Sequence, residues 1–519
     1  MTPLLFAAAA APAPFKLAPG TLTFLCTGMV IYVLIMLGIG FFASCKITDP
    51  EDYLVAGRRL PLWMATATLL ATWFGAGSSL GISAMTYSGG IRSILADPFG
   101  ASFCLLFAGL FVVGKLRKMK CLTVTDIIER QYGKGAGIFA SVWMMPVYIG
   151  WLGSQMLGIG TLIHMLTGME ILYGTLIGAA VVLIYTYAGG MWAVTLTDIF
   201  QVMLIVAGLI LLLPGTLREA GGFGDLYNSL TAADLSFAPP GTGAGDMTYY
   251  IGSWLVMGLG CMVGQDLIQR SLAAKNEKIA ATSSVISAFL YFAIALIPVT
   301  VGFAARIVLP KYGITSATLG SDLDNQVLPQ MAMIVLSKLH PVILVLFFSA
   351  LFSAIMSSAD SSLLAGTSLF CNNILKPFFP ELSDRKFLLI TRISTVVLIG
   401  VSLFFALSVE NIYLLMKNSW VTQLVVVFIP VITALYLPKA KAGAAWGAMI
   451  TALAVWLGYC LWACLGAKGT FVEIMNNFDR PVTCGAVYGF AAGAVVFFCC
   501  YLGSEISEHY KTRAKENGK

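Results

Sequence analysis

The sequence predicts an all-α polytopic membrane protein of about 13 transmembrane helices, on three observations. Of 519 residues, 58% are apolar and 11% are charged. Apolar runs of about twenty residues, the length that crosses a bilayer core at about 1.5 Å per residue, recur along nearly the whole chain. The connections between them are short, so no soluble domain is left over. A net charge of +6 would point to nucleic acid in a soluble chain. Here the placement of the basic residues explains it, and no nucleic-acid partner is expected; the lipid bilayer is the solvent.

Taken in order, residues 1–20 form an N-terminal tail. It lacks a basic start and is interrupted by prolines, unlike a cleaved signal. A transporter-like domain spans 21–503. Its first span, 21–44, stands ahead of two blocks. The block 61–214 holds spans two to six (61–88, 93–114, 137–166, 170–188, 190–214). The block 248–437 holds spans seven to eleven (248–270, 278–305, 341–370, 386–408, 410–437). Two C-terminal helices, 441–465 and 480–503, fill 441–503, and 504–519 is a cytoplasmic tail. The connections 215–247 and 306–340 are long and polar and read as loops with a short surface helix. With the N-terminus outside, 21 of the 31 Lys and Arg residues lie on the cytoplasmic side and 8 outside, so the C-terminus is inside. The expected location is the plasma (inner) membrane, multi-pass. Eleven cysteines sit mostly in apolar runs, without metal-ligand spacing, and read as small core residues.

Two spans are not ordinary helices. The second carries Gly75, Ala76 and Gly77 at its middle, and the seventh carries Gly258, Gly260 and Gly264 at the matching place. Each opens a block of five spans, and an odd number of crossings makes successive blocks enter from opposite faces. That is the inverted-repeat arrangement of secondary transporters, with broken helices facing a ligand.

The ninth span contains FSAIMSSADSSLLAGTSLF, with no Lys, Arg or His. An aspartate at mid-membrane costs roughly 2.5 to 3.5 kcal/mol on insertion scales, so Asp360 is expected to be paired, hydrated or functional. On a helix Ala354, Ser357, Ser358 and Ser361 share one stripe, with Asp360 on its flank. Hydroxyls, backbone carbonyls and carboxylates are the oxygens that suit a hard cation. Helical rise puts Ala71, Asp198 and Ser357 roughly 12 to 20 Å from the cytoplasmic ends of their spans. A broken helix near Ala71 and Phe74, the hydroxyl stripe and two carboxylates therefore meet at one level and replace the water shell of a cation.

These residues carry a resemblance. EDYLVAGRRLP before the second span, YTYAGGMWAVTLTDIFQ in the sixth, QDLIQR closing the seventh and SAIMSSADSSLLAGTS in the ninth together resemble the sodium/solute symporter family. The resemblance covers about residues 21 to 440. It implies a LeuT-type fold of inverted five-helix repeats and import of a small organic solute with co-transported sodium by alternating access. It also implies a first sodium site on Ala71, Phe74, Ala354, Ser357 and Ser358, and a second on Asp198, Ser357, Asp360 and Ser361. ATWFGAG and MSSADSS look closest to the high-affinity choline transporters, whose aromatic faces hold a quaternary ammonium. Trp73 and Trp151 match two of those box tryptophans, while Gly264 stands at the third. The substrate pocket is thus expected at Trp73, Gly75, Gly77, Trp151, Gly260 and Gly264, with the charge of the solute left open.

Other polar residues have plainer readings. Arg392 snorkels to headgroups from near a helix start. Asp266 and Arg270, near the end of the seventh span, are either a gate ion pair or a solvated helix end. Two other classes compete with transport. An intramembrane aspartyl protease needs two membrane aspartates, which Asp198 and Asp360 supply, but its GxGD motif is missing. A channel, or a sensor built on a transporter-like fold, would share the spans; only a short basic tail follows residue 503. No catalytic residue and no enzyme activity are expected. The sequence sets no oligomeric state; a monomer is possible.

Overall fold

The computed structural model of the protein describes residues 18–44, 50–239, 241–315, 323–379, 381–407, 412–466 and 478–517. Nearly all of the tail 1–20 and the connection 467–477 therefore lie outside the described residues. Among the described residues, eleven helices are long and apolar enough to cross a membrane. The expected spans 61–88 and 170–188 are not among these eleven, and each has a local cause. The second span is interrupted: Leu62–Trp73 ends where Phe74 takes φ −93°, ψ 82°, and helix resumes only at Gly77–Gly81 and Ile82–Gly89. The fifth span, apolar over Ile171–Ile184, runs into the sixth through Gly190 at φ 47°, ψ −146°. A Cβ at Gly190 would lie 2.6 Å from the Tyr53 ring, so glycine is needed both for the positive φ and for the contact.

Burial separates the helices that meet lipid from those that meet protein. The most apolar stretch of the first span is 17% buried and that of the twelfth 28%, against 78% for the seventh and the ninth. From Phe347 to Leu369 every residue of the ninth span is buried. Small side chains allow this, because Ser, Ala and Gly let neighbouring backbones approach closely. Around this helix pack the first, the fourth (Lys134–Thr167) and the joined fifth and sixth (Ile171–Glu219).

The seventh span is broken as expected. Ala244–Gly258 gives way to a tight turn at Gly260–Val263 and extended backbone at Gly264, and helix restarts at Gln265–Ala273. Leu60, just before the second span, pairs with the end of the seventh: its N–H donates to Ala273 (3.0 Å), and its carbonyl accepts from Lys275 (2.9 Å). The segment entering the second span is thus tied to the one leaving the seventh.

Two expectations change. The connection 306–340 is not simply polar loop with a surface helix, because Leu323–Leu336 forms a 14-residue helix whose residues from Val327 to Leu336 are buried. Its PQMAMIVL run supplies an apolar face on all sides, which pulls it into the protein. The thirteenth span does not stop at 503 but continues as one helix, Asp479–Asn517, through the tail.

Candidate functional site

The break in the second span leaves the last carbonyls of the helix Leu62–Trp73 without intrahelical donors. Side chains from elsewhere take two of them. Ser358 Oγ donates to the Thr72 carbonyl at 2.7 Å, and Ser78 Oγ to that of Trp73 at 3.0 Å. Across the break, the Ala76 N–H donates to Gln155 Oε1 of the fourth span at 2.8 Å. A Cβ on Gly75 would lie 2.3 Å from Ser358 Oγ and 2.6 Å from Gln155 Oε1. Glycine at 75 is thus what lets the fourth and ninth spans converge on the opened backbone. Ala71, Phe74, Ala354, Ser357 and Ser358 are all buried here.

The carboxylates lie in the same polar core. Asp198 Oδ1 accepts from Ser357 Oγ at 2.5 Å, and its Oδ2 accepts from Thr68 Oγ1. Ser361 Oγ donates to Asp360 Oδ1 at 3.2 Å and lies 3.1 Å from Thr72 Oγ1. Thr68 and Thr72 belong to this cluster and were missed; their i, i+4 spacing on the second span was the available signal. Arg270 was also missed as a partner. Its Nη2 donates to Ser361 Oγ, so a guanidinium from the seventh span stands among acids that have no basic neighbour in sequence. Neither expectation for Asp266 and Arg270 holds. Both are buried, which excludes a solvated helix end, and among the described residues no ion pair within 4 Å joins them. The Nε and Nη1 of Arg270 are buried without hydrogen-bond partners.

Beside the break is a small cavity of about 20 Å³, walled by Trp73, Trp151, Trp420, Met416, Asp266 and Gln423. Gly75 also lines it. Trp151 and Trp420 meet edge to face with centroids 6.2 Å apart. Of the other expected pocket glycines, Gly77 abuts the Met416 thioether, Gly260 packs on Leu424, and Gly264 lies under the Asp266 carboxylate. Trp420, Asp266 and Gln423 were not expected as pocket walls. A larger hollow of about 510 Å³ lies among loop-end charges including Lys120, Asp126 and Lys376; it has no aromatic wall and stands apart from the polar core.

Two further buried polar clusters escaped the sequence reading. Asp97, in non-helical backbone at φ −140°, ψ 119°, accepts from Ser78 Oγ at 2.7 Å and Tyr291 OH at 2.5 Å. Lys417 Nζ lies 3.0 Å from Asp479 Oδ2 and 3.0 Å from Tyr249 OH, and Tyr249 OH donates to the same Asp479 oxygen at 2.5 Å. In each case an ionisable residue inside an apolar run was the signal. Arg392 does more than snorkel, since its guanidinium lies over the Tyr187 ring, 5.4 Å from the centroid.

Comparison with known proteins bears on this arrangement. A sequence model described as the Sodium:solute symporter family matches residues 53–451. The chain is 27% identical over 429 residues to a protein named High-affinity choline transporter 1 from Torpedo marmorata, covering 79% of this chain and 72% of the relative. It is 26% identical over 478 residues to the Sodium/pantothenate symporter of Haemophilus influenzae, covering 89% and 94%. Among solved structures, a Na+-coupled sialic acid symporter in a substrate-bound outward-open state superimposes with a TM-score of 0.72 at 20% identity, covering 91% of this chain and 97% of that one. The shared fold is that of LeuT-like transporters.

Proposed function

The chain belongs to the sodium:solute symporter family and is a sodium-coupled symporter, and we propose from that premise how it holds its ions. The first sodium binds the carbonyls of Ala71, Phe74 and Ala354 and the hydroxyls of Ser357 and Ser358. The observation that carries this reading is the opened backbone at Phe74, which lies against the ninth-span hydroxyls: Ser358 Oγ already reaches the Thr72 carbonyl at 2.7 Å. Carbonyls short of donors and neutral hydroxyls are ligands that a hard monovalent cation accepts. A second sodium binds Asp198, Ser357, Asp360 and Ser361. Charge supports it, because two carboxylates with one guanidinium leave a net negative charge in a buried place, which one monovalent cation fills. Arg270 leaves Ser361 when that ion enters.

The solute binds beside the break, against Trp73 and Trp151, and is imported across the plasma membrane by rearrangement of two inverted blocks, 61–214 and 248–437. The N-terminus is outside and the C-terminus inside. A transporter family gives no support to intramembrane proteolysis. Binding of radiolabelled sodium to the purified protein tests the ion sites without knowledge of the solute. Saturable sodium binding that weakens in Ser357→Ala is expected, and its absence from a folded wild-type protein would refute the assignment.

A further inference from the structure

Asp266 presents a carboxylate to the tryptophan-walled cavity. Among the described residues it is the only acid that lines it. One oxygen, Oδ1, accepts from Tyr148 OH at 3.2 Å, and Tyr148 in turn accepts the Gln265 N–H at 2.6 Å, so the carboxylate is held on the pocket side of the restarted helix. Its nearest basic residue in sequence, Arg270, donates to Ser361 instead. Among the described residues no Lys or Arg nitrogen lies within 4 Å of Asp266.

Gly264 makes this possible. A Cβ there would sit 2.8 Å from Asp266 Oδ1 and 3.0 Å from the Cys261 carbonyl, with Gln423 Nε2 at an ordinary contact distance of 3.5 Å, so any side chain would press on the carboxylate. Gln423 adds a second acceptor, since its Oε1 is buried without a hydrogen-bond partner and its side chain lines the same cavity. Two acceptors, one of them charged, and three indole rings therefore surround one space. Indole faces attract a cation whether or not it carries N–H bonds. A buried carboxylate and an orphan amide oxygen are satisfied only by a donor.

We propose that the solute is a small organic ammonium bearing at least one N–H, which donates to Asp266 and Gln423 while Trp73, Trp151 and Trp420 enclose its charge. This rests on the symport reading of the same pocket. It differs from recognition of a quaternary ammonium, which has no N–H to give and would leave Gln423 Oε1 unpaired and Asp266 with the Tyr148 hydroxyl but no N–H from the solute.

The test is direct binding to the purified full-length protein at saturating sodium, read by quenching of tryptophan fluorescence. The probes are ethanolamine, N,N-dimethylethanolamine, choline and the uncharged choline isostere 3,3-dimethyl-1-butanol. At least one of the two N–H-bearing amines should bind, with choline and the neutral isostere roughly tenfold or more weaker. Asp266→Asn should weaken the amine roughly 30-fold or more, Asp266→Glu should recover part of it, and Gly264→Ala should weaken it by displacing the carboxylate. Sodium-dependent thermal stabilisation, measured on each variant without amine, reports folding and the ion site separately. If choline or the neutral isostere binds as tightly as the amines, if Asp266→Asn has no effect, or if none of the amines binds a protein that sodium still stabilises, the proposal is wrong and the symport reading stands. If sodium fails to stabilise the wild-type protein, it is the ion-site reading that fails.

Discussion

Ser357 Oγ and Asp198 Oδ1 lie 2.5 Å apart, joining the ninth span to the sixth at the level where the second span is broken. Ser357 is therefore shared between the two proposed ion sites, and its loss should be felt in both. Ser357→Ala is expected to raise the sodium concentration for half-maximal binding roughly tenfold, the effect of losing about 1.4 kcal/mol of charge-assisted contact. Titration of sodium against thermal stability checks this; an unchanged midpoint in a well-folded variant would count against both sites.

In the proposed arrangement Trp73 is assigned to the solute and not to sodium. Trp73→Ala should weaken binding of the transported solute by roughly 30-fold, since a desolvated aromatic face contributes about 2 kcal/mol to a cation. The sodium midpoint should stay where it was. A fallen sodium response with intact solute affinity would instead mark the indole as packing for the broken helix.

Two sodium ions per cycle would make initial uptake rise sigmoidally with sodium. Asp198→Asn should turn that curve toward a simple hyperbola, because the amide keeps the shape of the side chain but not its charge. The companion measurement holds sodium fixed and varies pH. A hyperbolic wild-type curve with steep pH dependence would mean that the carboxylates carry a proton in place of the second sodium.

The Lys417–Asp479 pair is buried and joined by Tyr249, so removing one partner strands the other. Lys417→Ala is expected to cost about 3–5 kcal/mol of stability, while the double replacement Lys417→Met with Asp479→Leu recovers most of it. Thermal unfolding of the two singles and the double decides the point. Additive losses would show that the charges do not depend on each other.

What could be read from the sequence was whatever regular geometry carries. Helical rise alone put Asp198 and Ser357 at one depth, and the structure brings them into hydrogen-bond contact. Paired glycine clusters located both breaks. Rotation about a helix axis and reach across the protein are not encoded by periodicity. Trp420 enters the cavity from a span where it looks like any apolar residue, and Arg270 reaches Ser361 across 91 positions of sequence. Asp97 lies in non-helical backbone, where a 3.6-residue pattern predicts nothing about direction. Leu323–Leu336 was hidden by its polar surroundings in a long connection.

The complete enclosure of the ninth span from Phe347 to Leu369 bears on biogenesis. Its first residues, PVILVLFF, supply the apolar stretch that a translocon recognises, although Leu344, Phe347 and Phe348 are buried in the finished protein, and Ser353, Ser357, Ser358, Ser361 and Ser362 meet no lipid there either. During synthesis those hydroxyls have only their own helical turn to bond until the first, second and sixth spans close around them. Maturation of this helix is thus a handover of Ser353, Ser357, Ser358 and Ser361 to partners made earlier in translation, while Ser362 keeps its bond to the Ala359 carbonyl of its own turn. A substitution at Thr68 or Asp198 should be seen first as delayed assembly and early turnover of the nascent chain, before any loss of transport is measured.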